Sequence, residues 1–374
     1  MSEAIEQGLK KEHFDTHGLK LVARSDRYEI YDDQRMNKAI VWMVKGKKKE
    51  DSDLMRIEIP RPKRKIEWRI ICYVVECLKY RSPLVPFVLK DKSMMRLAEY
   101  MYRYRSRSKD SLPIYAAIIR AYCRYAEMEP DELVESCLDD EGNPDPKKVT
   151  QASKLVDEFL AEEEANGNTT YTLLTKSARI KTFYKVNGIE ISLPIRYSSR
   201  VTYRDRAPRP EEVQRLIEVA DLREKAIISM LATGGFRIST LLGLKYRHVK
   251  EDLESGRVPL HIHVEAELNK GKVCDYDTFI NEEAVHYLKL YLEQRRRGTD
   301  KIPPEIITDE SPLFRTYEKE VKPLPSDSFR KIFYGLLRKA GLDKKNGKRR
   351  EIRIHSLRKF FRTQMAALGF PSIT

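Results

Sequence analysis

A chain of 374 residues, 41% of them hydrophobic, is long enough for two packed cores, and no apolar run approaches the roughly 20 residues that a membrane span needs. Its 71 Lys and Arg against 57 Asp and Glu leave a net charge of +14, which excludes an acidic, self-solvating chain and points to a polyanion as partner. The five cysteines (Cys72, Cys77, Cys123, Cys137 and Cys274) are scattered without a CxxC pair, so free thiols in a reducing compartment are expected, with neither a disulfide framework nor a metal.

The N-terminus, Met1-Ser2-Glu3-Ala4, lacks the basic-then-apolar pattern of a secretory signal, and a cytoplasmic, nucleoid-associated protein is expected. Residues 1–60 are mixed and charged, with one strand-like run, Ala39 to Val44, and read as an arm or appendage. Two basic runs follow closely. Lys45 and Lys47 to Lys49 form the first, and Arg61-Pro62-Lys63-Arg64-Lys65 the second.

From 61 to 192 the apolar spacing is helical and predicts a bundle of four or five helices. Met94, Leu97, Met101 and Tyr104 fall on one stripe, and Ile114, Ala117, Ile118, Ala121, Tyr122 and Tyr125 on another. Pro130-Asp131-Glu132 opens a short helix with acidic residues where the helix dipole favours them. Glu141 to Pro146 is a loop, and Thr150 to Ala165 and Thr170 to Val186 complete the set. The run YMYRYRSR, Tyr100 to Arg107, interleaves aromatics with Arg103 and Arg105 as nucleic-acid-binding surfaces do. Residues 193–209 are polar, basic and proline-bearing, including Arg204 and Arg206, and read as a linker to a second domain over 210–374.

In that second domain Pro210-Glu211-Glu212 starts a helix with Val213, Leu216, Ile217 and Ala220 on one face. A buried-looking helix, Ala226 to Ala232, runs into Thr233-Gly234-Gly235-Phe236-Arg237, and a second short helix follows with Ile238, Leu241, Leu242 and Leu244 on its apolar side. The glycines let the backbone turn tightly and place Arg237 at a helix start. Next comes clean alternation. Leu260, Ile262, Val264, Ala266 and Leu268 face one way and His261, His263, Glu265 and Glu267 the other, before a turn holding Lys270 and Lys272 and a return strand over Val273 to Ile280. His261 and His263 resemble a metal pair, but no third ligand is evident. Arg295 to Arg297 form another basic run, and Lys344, Lys345, Lys348, Arg349, Arg350 and Arg353 a last one. Then Ile354-His355-Ser356-Leu357-Arg358 opens a helix whose Leu357, Phe360, Phe361, Met365 and Leu368 should be buried, with Gly369 and Pro371 ending it.

Two arginines held by packed helices, a hairpin lysine and a histidine suggest phosphoryl-transfer equipment, because such chemistry depends on positioning and on stabilising charge over non-bridging oxygens. Arginine suits this role because its planar fork donates two parallel hydrogen bonds and stays charged.

ATGGFRISTLLGLKYRHV resembles the first arginine box of tyrosine recombinases (phage-integrase family), and IHSLRKFFRTQMAALG resembles their HxxR box. The order of arginine, hairpin lysine and HxxR is the family's, and the phrasing is similar to archaeal integrases. The resemblance is strong over about 208–374 and only architectural before it. It implies a mainly α fold with a small β-hairpin, a helical core-binding domain over 61–192, and a clamp around duplex DNA that works as a tetramer of recombinase protomers. Arg237 and Arg358 would hold the scissile phosphate, Lys270 (or Lys272) would protonate the leaving 5′ oxygen, and His355 would assist proton transfer. No cofactor and no metal are implied. The basic residues expected on DNA are Lys63, Arg64, Lys65, Arg103, Arg105, Arg204, Arg206, Arg349 and Arg350.

The sequence departs from the family at one point. The family's tyrosine nucleophile follows HxxR by a few tens of residues, but only sixteen residues follow Arg358 and none is tyrosine. The last tyrosine, Tyr334, precedes the box and reads as core. An interrupted sequence, a split gene of a mobile element, or a non-catalytic DNA-binding relative each fits. A type IB topoisomerase shares the catalytic residues but not the phrasing of the boxes.

Overall fold

The computed structural model describes residues 18–45, 54–105, 107–193, 205–269, 271, 274–300, 302–347 and 349–370. They fall into two compact units, Met1–Val201 and Thr202–Thr374. The architecture is the expected one, mainly α with small β elements.

The first unit opens with four antiparallel strands in sequential order: β1 (Lys20–Arg24), β2 (Tyr28–Asp33), β3 (Lys38–Val44) and β4 (Leu54–Pro60). Val41 lies opposite Ile30 on one side and Ile57 on the other. Side chains alternate across a sheet, so Tyr28, Ile30, Ala39, Val41, Met43, Ile57 and Ile59 share one face, and that face joins the core of the helices that follow. Glu29 and Asp32 are buried too, held by Arg24 at 2.7 Å and Arg61 at 2.5 Å. Where the sequence suggests an arm with a single strand, Ala39–Val44, the four strands β1 to β4 therefore form a sheet packed on helices. The acidic residues within YEIYDD hide β2 from a hydrophobic reading.

Seven helices follow: α1 (Lys65–Leu78), α2 (Leu84–Leu89), α3 (Lys92–Tyr104), α4 (Ser111–Ala126), α5 (Pro130–Glu135), α6 (Pro146–Ala165) and α7 (Thr170–Val186). In α4 the buried face is Leu112, Tyr115, Ala116, Ile119, Tyr122 and Cys123, one position away from the expected stripe, and Ile114 and Tyr125 are 41% and 39% exposed. Residues on both stripes are apolar, so periodicity alone could not choose between them. Tyr104, expected on the buried stripe of α3, ends the helix 65% exposed.

The second unit contains α8 (Pro210–Glu218), α9 (Leu222–Gly234), α10 (Ile238–Gly243), α11 (Lys250–Ser255), β5 (Leu260–Val264), β6 (Tyr276–Ile280), α12 (Glu282–Arg297), α13 (Ser326–Lys339), β7 (Lys345–Asn346), β8 (Arg349–Arg350) and α14 (Ile354–Ala367). Helix α9 is buried nearly all round and packs against α8, α12, α14 and β6. Of the basic run ending α12, Arg295 is fully buried, paired with Glu305 at 2.5 Å, and Arg315 reaches the same carboxylate at 2.8 Å.

Two expectations need correction here. The hairpin strand ends at Val264, because Asp275 accepts the Ala266 backbone N–H at 2.7 Å and Ala266–Leu268 winds into a 3₁₀ turn. On α14 only Leu357 of the expected stripe is fully buried, whereas Phe360, Phe361 and Met365 are half-covered and Leu368 is 69% exposed. Ala366, Ala367 and Leu368 at the end of this helix are exposed.

Candidate functional site

Helix α9 stops at Gly234, and Gly235 takes a left-handed conformation (φ +62°). A Cβ at Gly235 would lie 2.3 Å from Cδ1 of Phe361, so the position needs glycine both for its backbone and for the close approach of α14. The turn delivers Arg237 to the N-cap of α10. There its guanidinium donates to Asn269 Oδ1 at 2.9 Å. From α14, Arg358 donates to the backbone carbonyl of Gly235, two residues before Arg237. The two boxes, more than a hundred residues apart in sequence, thus interlock at one turn.

The electrostatics separate this half-buried pair from the fully buried arginines of the unit. Arg223, Arg295 and Arg315 each pair with a buried carboxylate, Glu224 or Glu305. Among the described residues Arg237 and Arg358 pair with none. Burial, and then the neighbouring charge of Arg237, hold Arg358 below the usual arginine range. Two crowded cations without a counter-ion form a receptive place for an anion.

Tyr276, which sequence reading passed over, completes the pocket. Burial pushes its hydroxyl above the usual tyrosine range, while the charges of Arg358 and Arg237 act in the opposite sense. Its only sequence signal is its place at the start of β6, in register with Val264. Thr240 donates to Leu268 O at 3.0 Å, and Thr278 donates to Gly234 O at 2.8 Å, which ties the hairpin to the turn.

His355 lies in the first turn of α14. Partial burial, then the positive charges of Arg358, Lys359 and Arg353, hold its imidazole below the ordinary range, with Asp205 opposing them. Asp205 is a second residue that sequence reading missed. Its carboxylate accepts from Arg353 at 2.5 Å and from Lys359, and so pins the start of α14 on both sides of His355. Burial works to raise the pKa of Asp205, but the hydrogen bonds from Lys359 and Arg353 outweigh it and hold the carboxyl below its ordinary range.

Lys270, Lys272 and Arg204 lie outside the described residues. Asn269, the partner of Arg237, immediately precedes Lys270, and its amide donates to Cys274 O at 3.4 Å across the base of the loop.

The remaining basic candidates divide by their partners. Lys63, Lys65, Arg105 and Arg349 are exposed. Arg64 pairs with Glu67 at 2.8 Å and Arg103 with Glu99 at 3.0 Å. Arg206 is committed to Glu212 at 2.6 Å and 2.8 Å, and Arg350 pairs with Asp343 at 2.5 Å and lies over the Tyr334 ring. These last two tie elements within the second unit together. His261 and His263 stand on the exposed face of β5 beside Asp277 and Asp275, yet the described residues contain no group arranged to hold a metal ion.

Residues 208–373 match the model of the phage integrase family. Among solved structures, the chain is similar to the Tn1549 transposon integrase in complex with transposon right end DNA, at 15% identity over 75% of this chain and 87% of that one, with a TM-score of 0.52. It is likewise similar to the same integrase in complex with circular intermediate DNA, at 14% identity over 81% and 88% of the two chains, with a TM-score of 0.50. At these identities the likeness is one of fold. No curated protein matches the sequence.

Proposed function

From a phage integrase family domain spanning residues 208–373, we propose that the chain binds duplex DNA and holds one backbone phosphate between Arg237 and Arg358 for strand breakage and rejoining. The observation that carries this reading is the pair of converging, half-buried arginines without a carboxylate partner among the described residues, in a unit whose buried arginines Arg223, Arg295 and Arg315 each have one.

The reaction is a transesterification. A tyrosine hydroxyl attacks phosphorus, the bond to the 5′ oxygen breaks, and the 3′-phosphotyrosyl linkage keeps the strand activated for rejoining. Arg237 and Arg358 neutralise the charge that builds on the non-bridging oxygens. His355, held neutral near pH 7 by its surroundings, accepts the proton of the attacking hydroxyl. Lys270, with Lys272 as the alternative, donates a proton to the leaving 5′ oxygen. No residue of these 374 is assigned as the attacking tyrosine: none follows His355, and partial burial holds the Tyr276 hydroxyl above the usual tyrosine range. A second reading, a relative that occupies DNA sites without cutting them, draws on the net charge of +14 and the same two arginines.

Rejoining separates the two readings, since it needs the clamp but not the nucleophile. The substrate is a duplex selected from random sequence for binding, nicked, and bearing a 3′-(p-nitrophenyl) phosphate opposite a 5′-hydroxyl. The hydroxyl attacks phosphorus, p-nitrophenolate leaves, and the hydroxyl proton passes to the lysine. The recombinase reading expects the chain to accelerate ligation, and Arg237→Ala or Arg358→Ala to slow it about 100-fold or more, as removal of one transition-state donor does. Binding without acceleration supports the site-occupying reading, and failure to bind DNA overturns both.

A further inference from the structure

The first unit carries a cleft between α3 and α7, about 620 Å³ in volume, that the clamp chemistry does not use. Two tyrosines and four cations line it: Tyr100, Tyr104, Arg96, Arg103, Arg105 and Lys185. The rings of Tyr100 and Tyr104 lie 5.9 Å apart. Arg103 stands 5.0 Å from the centre of the Tyr104 ring, and Arg105 5.7 Å from that of Tyr100. Glu99 is the one acidic residue lining the cleft, and Arg103 already pairs with it. Tyr104 leaves 65% of its surface exposed in spite of its large ring.

We propose that this cleft binds an unpaired nucleotide of DNA, its base stacked on Tyr104 and Tyr100 and its phosphates met by Arg96, Arg105 and Lys185. Three features favour an unpaired strand over a duplex. The volume lies in the range of small-ligand clefts, which suits a nucleotide. The exposed Tyr104 ring, with the half-buried Tyr100 beside it, can stack only on a base whose own face is free, because in a duplex the bases stack on one another. Cations interleaved with aromatics are the recurring solution for single strands, where the rings hold bases of any sequence and the charges follow the backbone. The inference rests on the reading of the chain as a DNA strand-exchange protein. Breakage releases a strand end that must leave one duplex before it pairs in another, and during that interval its bases need a place to stack.

The experiment compares two DNAs of one sequence, a perfect duplex and the same duplex with a three-nucleotide unpaired flap, by fluorescence anisotropy with the full chain at fixed salt. The flap DNA should bind about ten-fold more tightly, within the range for one or two stacked bases. A 2-aminopurine placed in the flap should lose fluorescence on binding. Tyr104→Leu should bring the ratio of flap to duplex affinity to about one and abolish the quenching, while Tyr104→Phe, which keeps the ring, should preserve both. Tyr104 is largely exposed, so an unchanged circular dichroism spectrum is expected of either variant. Equal binding of the two DNAs by the unsubstituted chain, or a preference that survives Tyr104→Leu, would overturn the inference while leaving duplex binding intact. Failure of both DNAs to bind would overturn the underlying reading as well.

Discussion

Substituting Gly235 by alanine tests how the two arginine boxes are held together. Gly235 sits at φ +62°, where an L side chain costs about 1–2 kcal/mol. The new Cβ would lie 2.3 Å from Cδ1, 2.6 Å from Cε1 and 2.9 Å from Cγ of Phe361, so a whole ring edge must move. Forcing an extra methyl into a packed contact adds about 1–3 kcal/mol, for a total of roughly 2–5 kcal/mol. Gly256 provides the control, because its φ is +72° but nothing lies within 4 Å of its would-be Cβ. Gly256→Ala should therefore show the backbone part alone, about 1–2 kcal/mol. Urea unfolding of the full chain measures both variants, and the double variant Gly235→Ala/Phe361→Ala should be less destabilised than its two single changes predict when added, because the clash is gone. If Gly235→Ala and Gly256→Ala were equally destabilising, the close docking of α14 on the turn would be refuted.

Three further outcomes follow from the same geometry. Glu305→Gln removes the carboxylate shared by the buried Arg295 and Arg315, and should lower stability by about 3–5 kcal/mol in thermal or urea unfolding. A loss below about 1 kcal/mol would mean that those cations find other partners. His355 has a folded pKa below its ordinary 6.5, so the unfolded chain binds more protons just below that pH. Its contribution is present above about pH 6.5 and lost as the pH falls, and His355→Gln should flatten the change in melting temperature between pH 7.5 and pH 5.5. Asp205 acts on His355 in the opposite sense from the cations, so Asp205→Asn should lower the His355 midpoint further in an NMR titration. A midpoint that rises would contradict the placement of Asp205.

Much of the second unit is legible in the sequence because its signals are local. The run AIISMLA, the paired glycines and the LxHxHxV alternation each fix an element from its own residues. Arg237, His355 and Arg358 stand out from their boxes, and Arg358 reaches the turn that carries Arg237, with His355 one helical turn before Arg358 on α14. Asp205 and Tyr276 are not legible, since each matters through partners far away in sequence: Arg353 and Lys359 for Asp205, the two arginines for Tyr276. The ion pairs of Arg206 and Arg350 are not legible either. A basic run looks the same whether its members face solvent or a carboxylate such as Glu212 or Asp343. The N-terminal sheet is hidden by Glu29, Asp32 and Asp33, which are buried residues that composition counts as solvated. The apolar stripe of α14 is plain from its spacing, but burial depends on what lies opposite, and the described residues leave Leu368 open.

The salt dependence of duplex binding tests the phosphate clamp most directly. Arg237 and Arg358 are proposed to hold one phosphate together, and each phosphate neutralised contributes about 0.9 to the slope of log K against log salt. The double variant Arg237→Ala/Arg358→Ala should therefore bind more weakly, with a slope shallower by about one unit and not two. Unchanged affinity and slope would contradict the account, because the two arginines would then hold no phosphate of bound DNA.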